Sequence, residues 1–393
     1  MRKEVLCFIA ALSLIVLGAS VAYFRARSSD RGYCEQVRKQ MEVVLKEIEE
    51  VRGLTPPTRV DVKVVTRSWI EENWAIPFVK SKKDEILYEE MIYKALFLLP
   101  PDANLTQIRI DQFKATMAAA VGDAVYVTRE FFDPNNEVKA LEILSHEVTH
   151  IIQRHHFNLK ERSTLDGEQA RSAIIEGDAL ITAEKFVLHH FGVQLRGLNG
   201  SYSPIEEIWL FPYKYGRSFV RHLLEIGGWD EVNRALKNPP NTTEQILHLN
   251  KYLSCEGFLE VNAPSLDGEG WKRAKSDRMG EHVILTILLT SISEEKAKEA
   301  AEGWNGDNLT LYLCDNGYLL EWVILWDSYE DALEFKESFQ ALLEDKGNRI
   351  SPEIWYCANR YVFFHVSEEK TMILISSNLT AIENSISVVE NIP

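Results

Sequence analysis

The chain has 393 residues, of which 46% are hydrophobic and 26% charged, and a formal net charge of -16. Its length favours two folded units, and its hydrophobic fraction is that of a globular protein rather than a disordered one. The negative charge argues against a nucleic-acid partner, because binding to phosphates requires a basic face.

The N-terminal segment contains an apolar run, residues 5–24, with basic residues on both sides. A helix of this length spans roughly 30 Å, which is the thickness of the hydrocarbon core of a bilayer. The run therefore predicts a membrane anchor within residues 1–30, or a secretory signal cleaved near Ser20-Val21-Ala22. We expect the membrane to be a partner through this segment.

Two further features favour a body outside the membrane. Counting positive charges alone gives the opposite orientation, but glycosylation sequons and an even number of cysteines follow the apolar run. The sequons lie at Asn104, Asn199, Asn241, Asn308 and Asn378, and the cysteines are Cys34, Cys255, Cys314 and Cys357. Four cysteines permit two disulfides in any of three pairings. We therefore expect a single-pass glycoprotein of the cell membrane with its body outside, or a secreted protein if the N-terminal segment is cleaved.

Hydrophobic periodicity predicts the elements of the first part of the chain. The apolar residues of 33–51 recur at helical spacing, and those of 60–65 alternate as in a strand. A helix is predicted at residues 83–98 and a short strand at residues 124–127. Turn residues at 133–136 then begin the helix that follows.

The pattern changes at a polar stretch with proline and glycine, residues 261–270, which predicts a linker. Before it, helices are predicted at residues 166–190, 215–226 and 229–236. After it come a helical stretch to about residue 302, a hairpin that turns at Asn316-Gly317, a helix at 329–343, strands near residues 355, 362 and 373, and a helix at 379–389. The predicted fold class is α+β, with a mostly helical domain and a small edge sheet at residues 31–262 and a smaller C-terminal α+β domain of unknown role at residues 263–393.

The helix that begins after residue 136 contains a metal-binding motif, His146-Glu147-Val148-Thr149-His150. Histidines four residues apart lie on one face of a helix, one turn from each other. Their nitrogens can then reach one zinc ion at about 2 Å, and Glu147 can reach a water bound to that ion. The motif predicts a zinc site with Glu147 as the general base.

A catalytic zinc ion has a third protein ligand, for which the sequence offers two candidates. Glu176 lies on the next predicted helix, where small residues allow close packing. His156 has the spacing of the third histidine of metzincins, but Gln153 stands where that pattern has glycine, so the chain cannot easily turn back. We favour Glu176 and keep His156 as the alternative. Asp178 could orient one of the ligand histidines, but it points away from Glu176 on the helix, so we favour a solvated carboxylate.

The motif, followed by Glu176-Gly177-x-Ala179, resembles the gluzincin zinc metallopeptidases, especially the short peptidases of the MA clan. The segment Phe211-Pro212-Tyr213-Lys214-Tyr215-Gly216 is similar to the P-Y-x-x-G segment of the gluzincin aminopeptidases. The resemblance runs from about residue 124 to residue 236 and implies a zincin-like metallopeptidase domain at residues 31–262. It also implies that Tyr213 stabilises the transition state, with Tyr215 as the alternative.

We predict a zinc-dependent endopeptidase that hydrolyses peptides or proteins outside the membrane. The strand residues Ala124, Val125 and Tyr126 are expected to bind substrate by strand addition at an exposed edge. The absence of the amine-binding G-x-M-E-N motif weakens the alternative of an aminopeptidase. Another alternative is an inactive surface binding protein on a zincin scaffold. The sequence does not predict the oligomeric state.

Overall fold

The computed structural model describes residues 30–195, 200–262, 266, 270–315 and 317–389. Helices dominate the N-terminal region, which also contains a small sheet, and a larger sheet dominates the C-terminal region. The predicted α+β fold class is confirmed. The domain boundaries at residues 31–262 and 263–393 stay predictions.

The N-terminal region is built mainly from helices of very different lengths. They are α1 (Asp30–Arg52), α2 (Arg67–Ile70), α3 (Ile76–Ser81), α4 (Lys83–Ala95), α5 (Leu105–Lys114), α6 (Glu137–His156), α7 (Leu165–Phe191), α8 (Pro204–Lys237), α9 (Thr243–Leu247) and α10 (Leu249–Leu253). A π-helical turn, Glu71–Ala75, joins α2 to α3. The helices predicted at residues 215–226 and 229–236 are two parts of α8, which bends where Gly227 and Gly228 leave the helical conformation.

The small sheet contains β1 (Asp61–Val65), β2 (Ala118–Val121) and β3 (Ala124–Thr128) in the order β1-β3-β2. Strand β3 pairs in parallel with β1 and antiparallel with β2. Because β3 lies between two strands, its backbone groups are used within the sheet. The free edges of the sheet are those of β1 and β2.

The C-terminal region forms a seven-stranded sheet with helices packed on it. Its strands are β4 (Lys272–Asp277), β5 (Trp304–Cys314), β6 (Gly317–Trp326), β7 (Gly347–Ser351), β8 (Ile354–Cys357), β9 (Arg360–Ser367) and β10 (Lys370–Ser376), and its helices are α11 (Gly280–Leu288), α12 (Glu294–Ala301), α13 (Tyr329–Lys346) and α14 (Leu379–Val389). The strand order is β4-β5-β6-β10-β9-β8-β7, and every pair in it is antiparallel. Strands β5 and β6 form the predicted hairpin.

Helix α6 is fixed by an apolar stripe that faces α1 and the small sheet. Leu141, Leu144, Val148 and Ile151 are fully buried, in one core cluster with apolar residues of α1, β2 and β3. The helix begins at Asn136, whose side chain accepts a hydrogen bond from the backbone N–H of Lys139. Burial of this stripe determines which residues of α6 remain on the side that faces α7.

Helices α7 and α8 approach each other so closely that only glycine fits at the contact. A Cβ atom on Gly216 of α8 would lie 2.1 Å from the carbonyl oxygen of Ala173. A Cβ atom on Gly177 of α7 would lie 2.2 Å from the carbonyl oxygen of Gly216. Since protein interiors have little free volume, larger residues here would push the helices apart. The contact places α8 beside the turn of α7 that contains Glu176.

A buried carboxylate connects the C-terminal sheet to α11. Asp307 of β5 accepts hydrogen bonds from the backbone N–H groups of Met279 and Gly280 at 2.8 Å, and from the indole N–H groups of Trp304 and Trp322 at 3.0 Å. Helix α11 also packs against α7, α8 and α9. The C-terminal sheet is therefore held in a defined position relative to the N-terminal helices.

In the part of the chain that the structure describes, no helix is both long and apolar enough to cross a bilayer. This finding contradicts the prediction of a membrane-spanning helix. Residues 5–24, on which the prediction rested, lie outside the described residues. The membrane is withdrawn as a partner, and with it the predicted location at the cell membrane.

The disulfides that four cysteines permit are absent among the described residues. Cys34, Cys255, Cys314 and Cys357 are all free thiols. They lie in α1, after α10, at the end of β5 and at the end of β8, so the even number of cysteines in the sequence did not reflect pairing.

Candidate metal centre

Three side chains from two helices meet in the interior. His146 and His150 extend from α6, and Glu176 extends from α7 towards both. Glu176 Oε2 lies 3.3 Å from His146 Nε2 and 3.4 Å from His150 Nε2, and the two imidazole nitrogens are 3.1 Å apart. All three residues are buried. They form a group that could hold a metal ion.

The spacing of these atoms fits a tetrahedral metal ion. Donor atoms at about 2.0–2.1 Å from a zinc ion with tetrahedral geometry are about 3.3–3.4 Å from one another. The three separations of 3.1, 3.3 and 3.4 Å are close to that value. Glu176 Oε2 is buried and makes no hydrogen bond to the described residues. A cation between the three atoms would satisfy this oxygen.

The charges of the group favour an ionised Glu176. Burial by itself raises the pKa of this carboxyl group, but the neighbouring His150 and His146 lower its pKa to about 2. Burial lowers the pKa of His150, and the Glu176 carboxylate reverses this effect and raises the pKa to about 9. A metal ion must therefore compete with a proton for His150, as is usual for imidazole ligands.

A chain of buried hydrogen bonds fixes the tautomer of His150. Gln153 Nε2 donates to the carbonyl oxygen of Ile175 at 2.8 Å and to Asp178 Oδ2 at 2.8 Å. Both partners can only accept, so Gln153 must present its oxygen to His150 Nδ1, which lies 2.9 Å away. His150 Nδ1 then carries a proton, and its Nε2 is left for a metal ion.

Asp178 is held in turn by an arginine from the first helix. Arg52 Nε donates to Asp178 Oδ1 at 2.6 Å, and both side chains are completely buried. Arg52 also donates to Asn233 Oδ1 at 2.8 Å and lies over the ring of Trp229. The expectation that Asp178 is solvated is wrong, since it is 0% exposed. It positions His150 through Gln153.

Glu147 occupies a position next to the metal group. Its side chain is 4% exposed, and the backbone N–H of Ala120 in β2 donates a hydrogen bond to its carboxylate. Its Oε2 atom makes no hydrogen bond to any residue that the structure describes. Burial raises the pKa of this carboxyl group, an effect that the two histidines oppose.

His156 does not join the group. It is the last residue of α6, it is exposed, and its Nε2 is 2.9 Å from the carbonyl oxygen of Thr55. Helix α6 continues through Gln153 without a turn, so His156 lies at the helix end, six residues beyond His150. Between the two candidates for the third ligand, the structure brings only Glu176 to the histidines.

The two tyrosines of α8 have different surroundings. Tyr213 is 1% exposed and lies three residues before Gly216, so it shares the face of α8 that contacts α7. Tyr215 packs against Phe211 and His282, with ring centroids 5.1 and 5.6 Å apart. The segment that contains both is helical, with Pro212 inside α8.

The strand expected to bind substrate is not at an edge. Ala124, Val125 and Tyr126 belong to β3, the central strand of the small sheet. Ala124 and Val125 are buried, and Tyr126 packs against Trp69 and Trp74. The prediction of an exposed edge at β3 is wrong, because β1 pairs with the side that was expected to be free.

Sequence reasoning missed Ala120 and Arg52 beside the metal group, and it kept a positioning role for Asp178 only as the weaker alternative. Ala120 gave no signal, since nothing in the sequence places β2 against α6. Asp178 did give one: a carboxylate among Ile174, Ile175, Ala179 and Ile181 on a helix predicts a buried charge that needs a partner. That partner, Arg52, is 126 residues away in the chain and could not be identified without the fold.

We expect His146→Ala, His150→Ala or Glu176→Ala to abolish the binding of one metal ion per chain, because each removes one of three buried donors. His156→Ala is the matched control and should retain the ion. Metal content after dialysis, measured by mass spectrometry, checks this prediction. Full occupancy in any of the first three variants, or loss in the control, would contradict the assignment.

Gln153→Leu should weaken metal affinity by about 10–100-fold, the usual effect of removing the hydrogen-bond partner of a histidine ligand. Competition with a chelating dye measures the affinity, and circular dichroism checks that the variant is folded. His156→Ala serves again as the control on the same helix. Unchanged affinity in folded Gln153→Leu would show that Gln153 does not orient His150.

Comparisons with known proteins leave the metal group unassigned. Residues 269–384 match a family described as a domain of unknown function, DUF8575, which covers the C-terminal sheet and none of the three residues of the metal group. No curated protein matches the chain. A solved structure of a candidate hydrolase with a novel fold, from Chloroflexus aurantiacus, is 15% identical in sequence to this chain. The matched region spans 65% of this chain and 96% of that protein, with a TM-score of 0.34. A likeness this low supports no conclusion about fold or function, and the resemblance to gluzincins stays a prediction from the motif.

Proposed function

We propose that the chain is a zinc-dependent peptidase, specifically an endopeptidase, with His146, His150 and Glu176 as its zinc ligands. The proposal depends on the position of Glu147. Its carboxylate is buried beside the metal group, and one of its oxygens has no hydrogen-bond partner among the described residues. Structural zinc sites have four protein ligands, whereas three leave a position open for water. Three donors and an adjacent carboxylate are the arrangement of a hydrolytic site.

The ligand types also agree with zinc. Two imidazoles and one carboxylate are the protein ligands of several zinc peptidases. The same set holds Fe(II) in oxygenases, but a glutamate directly after the first histidine, on the same helix, is the arrangement in which the carboxylate acts as a general base. Metal analysis of the purified protein separates zinc from iron.

A bound zinc ion would supply an activated water and a Lewis acid for the peptide carbonyl group. Glu147 carries out both proton transfers. Its carboxylate accepts a proton from the attacking water and later donates it to the leaving amine. The C–N bond breaks, and the products are a carboxylate and an amine. The N–H of Ala120 orients Glu147 for both transfers.

Tyr213 is proposed to donate its hydroxyl hydrogen to the carbonyl oxygen as negative charge develops there. Its burial on the face of α8 that contacts α7, one turn from Gly216, supports this role over one for Tyr215. Tyr215 instead packs against Phe211 and His282. Hydrogen bonds to a developing oxyanion are often among the largest contributions to catalysis.

The substrate strand is assigned to β2 in place of β3. Strand β2 lies at the edge of the small sheet, and the N–H of Ala120 points from that edge to Glu147. A peptide that pairs with β2 would pass beside the metal group, with its backbone groups satisfied by the strand. Such pairing does not require a free terminus, which agrees with an endopeptidase.

Glu147→Gln should retain the metal ion and lower kcat for hydrolysis of an unfolded protein such as casein by about 10²–10⁴-fold, because it removes the general base. His156→Ala is the control and should turn over normally. Near-normal turnover of Glu147→Gln would show that another group is the base. An inactive zinc-loaded wild-type chain would favour the alternative of a binding protein.

Tyr213→Phe should lower kcat by about 10²–10³-fold with little change in KM, as expected when one donor to the oxyanion is removed. Tyr215→Phe is the matched control, with the same loss of a hydroxyl group two residues away. Steady-state kinetics on the same substrate measure both effects. A larger loss in Tyr215→Phe would transfer the role to Tyr215.

A further inference from the structure

Arg360 is a buried arginine at the start of β9, in the C-terminal sheet, and it is 7% exposed. Side chains alternate between the two faces of a strand, so Arg360 shares a face with Val362 and Phe364. Both of those residues belong to the core cluster that the sheet forms with α4 and α5. The positive charge of Arg360 therefore lies on the packed face of the sheet.

No carboxylate of the described residues neutralises this charge. The guanidinium group of Arg360 forms no hydrogen bond or ion pair with any residue in the described ranges. Burial lowers the pKa of Arg360, and the neighbours that oppose this effect are Tyr318 and Cys357. Burial raises the pKa of both, so that both are neutral at pH 7. The chain has 59 acidic residues, yet none in the part that the structure describes acts on Arg360.

Three further arginines are buried to a similar degree, and each of them contacts a carboxylate. Arg52 contacts Asp178, Arg109 contacts Glu89, and Arg171 contacts Glu168. This is the general pattern in proteins, because burial of a charge is unfavourable unless a group of opposite charge compensates it. Arg360 departs from the pattern, which is expected if its partner binds from solution.

The ring of Phe97 supports the guanidinium group of Arg360. The central carbon of that group lies 4.1 Å from the centroid of the ring. Phe97 follows α4 and has a φ of 62°, in the left-handed region that favours glycine. Its N–H and that of Leu98 donate to the carbonyl oxygens of Lys94 and Tyr93 at 3.2 and 2.8 Å, as at a helix end that usually has glycine in this place. The contact with Arg360 gives a reason for phenylalanine here, but it leaves the charge without a counter-ion.

The guanidinium group presents its two terminal nitrogens to the solvent. Nε of Arg360 is sealed from solvent and has no partner among the described residues. Nη1 and Nη2 have no partner there either, but they are not sealed, so they reach the small exposed part of the side chain. Two parallel N–H groups of a guanidinium match the two oxygens of a carboxylate or a phosphate group. Such an anion would meet the terminal nitrogens end-on.

From these observations we infer that Arg360 is the anchor of an oxyanion-binding site at this end of the C-terminal sheet, which takes a carboxylate or a phosphate group. The site does not depend on the proposed peptidase function. It lies within residues 269–384, the region that matches the domain of unknown function. Phe97 belongs to the N-terminal region and Arg360 to the sheet, so a bound anion would stabilise the contact between the two parts of the chain.

Nuclear magnetic resonance of the full chain with ¹⁵N-labelled arginine tests binding directly. The probes are sodium acetate and inorganic phosphate, each titrated against sodium chloride at constant ionic strength. We expect the Nε resonance of Arg360, assigned by its nuclear Overhauser contacts with the ring of Phe97, to shift in a saturable way. Arg52 is the control, since its Nε is buried and bonded to Asp178, and its resonance should stay in place. A saturable shift with only one of the two probes supports the site and identifies its ligand group. No saturable shift with either probe, or an equal shift of Arg52, would overturn the inference.

Thermal unfolding then assigns the effect to Arg360. Phosphate raises the Tm of folded proteins in general by its exclusion from their surface, and an anion bound to the folded state adds a further rise. We expect the rise in Tm over chloride to be smaller in Arg360→Met than in the wild type. Arg109→Met is the matched control, since Arg109 is 8% exposed and lies over the ring of Trp209 but is paired with Glu89; it should show the wild-type rise. Equal rises in all three proteins would overturn the inference, and if Arg360→Met does not fold, the titration of the wild type decides.

Discussion

The ion pair between Arg52 and Asp178 joins the three helices on which the metal group depends. Arg52 ends α1, Asp178 lies in α7, and Gln153 of α6 donates to the same carboxylate. Both charges are completely buried. Removal of one partner from such a pair typically costs about 3–5 kcal/mol, because a buried charge is left uncompensated. The hydrogen bonds of Gln153 to Asp178 and to the carbonyl oxygen of Ile175 fix α6 against α7, in the arrangement that brings Glu176 to the histidines.

The contact of α7 with α8 adds a second constraint. Gly177 follows Glu176 directly, and its lack of a side chain lets Gly216 approach. Glu176 thus lies between an ion pair that fixes α7 to α1 and a glycine contact that fixes α7 to α8. A ligand held on rigid helices from both sides loses little conformational freedom when a metal binds. In the sequence, small residues around Glu176 predicted close packing of this helix, and small residues do form its contact with α8.

The features that the sequence predicted well depend on residues close to each other in the chain. Helix α6 and its histidine pair follow from a four-residue spacing and an apolar stripe, and Glu176 was favoured over His156 because Gln153 disfavours a turn. Strand order was not predictable in this way. Strand β3 became central because β1, some sixty residues earlier, pairs with it in parallel. The roles of Asp178 and Ala120 likewise depend on contacts between distant segments, and periodicity carries no information about such contacts.

X-ray absorption spectroscopy at the metal edge of the purified, metal-loaded chain tests the central claim most directly. We predict zinc with only nitrogen and oxygen neighbours at about 2.0–2.2 Å, including the multiple-scattering signal of two imidazoles, and no bound metal when both His146 and His150 are replaced by alanine. A sulfur neighbour at about 2.3 Å, an imidazole count other than two, or failure to bind a metal would contradict the assignment of His146, His150 and Glu176 as the metal ligands.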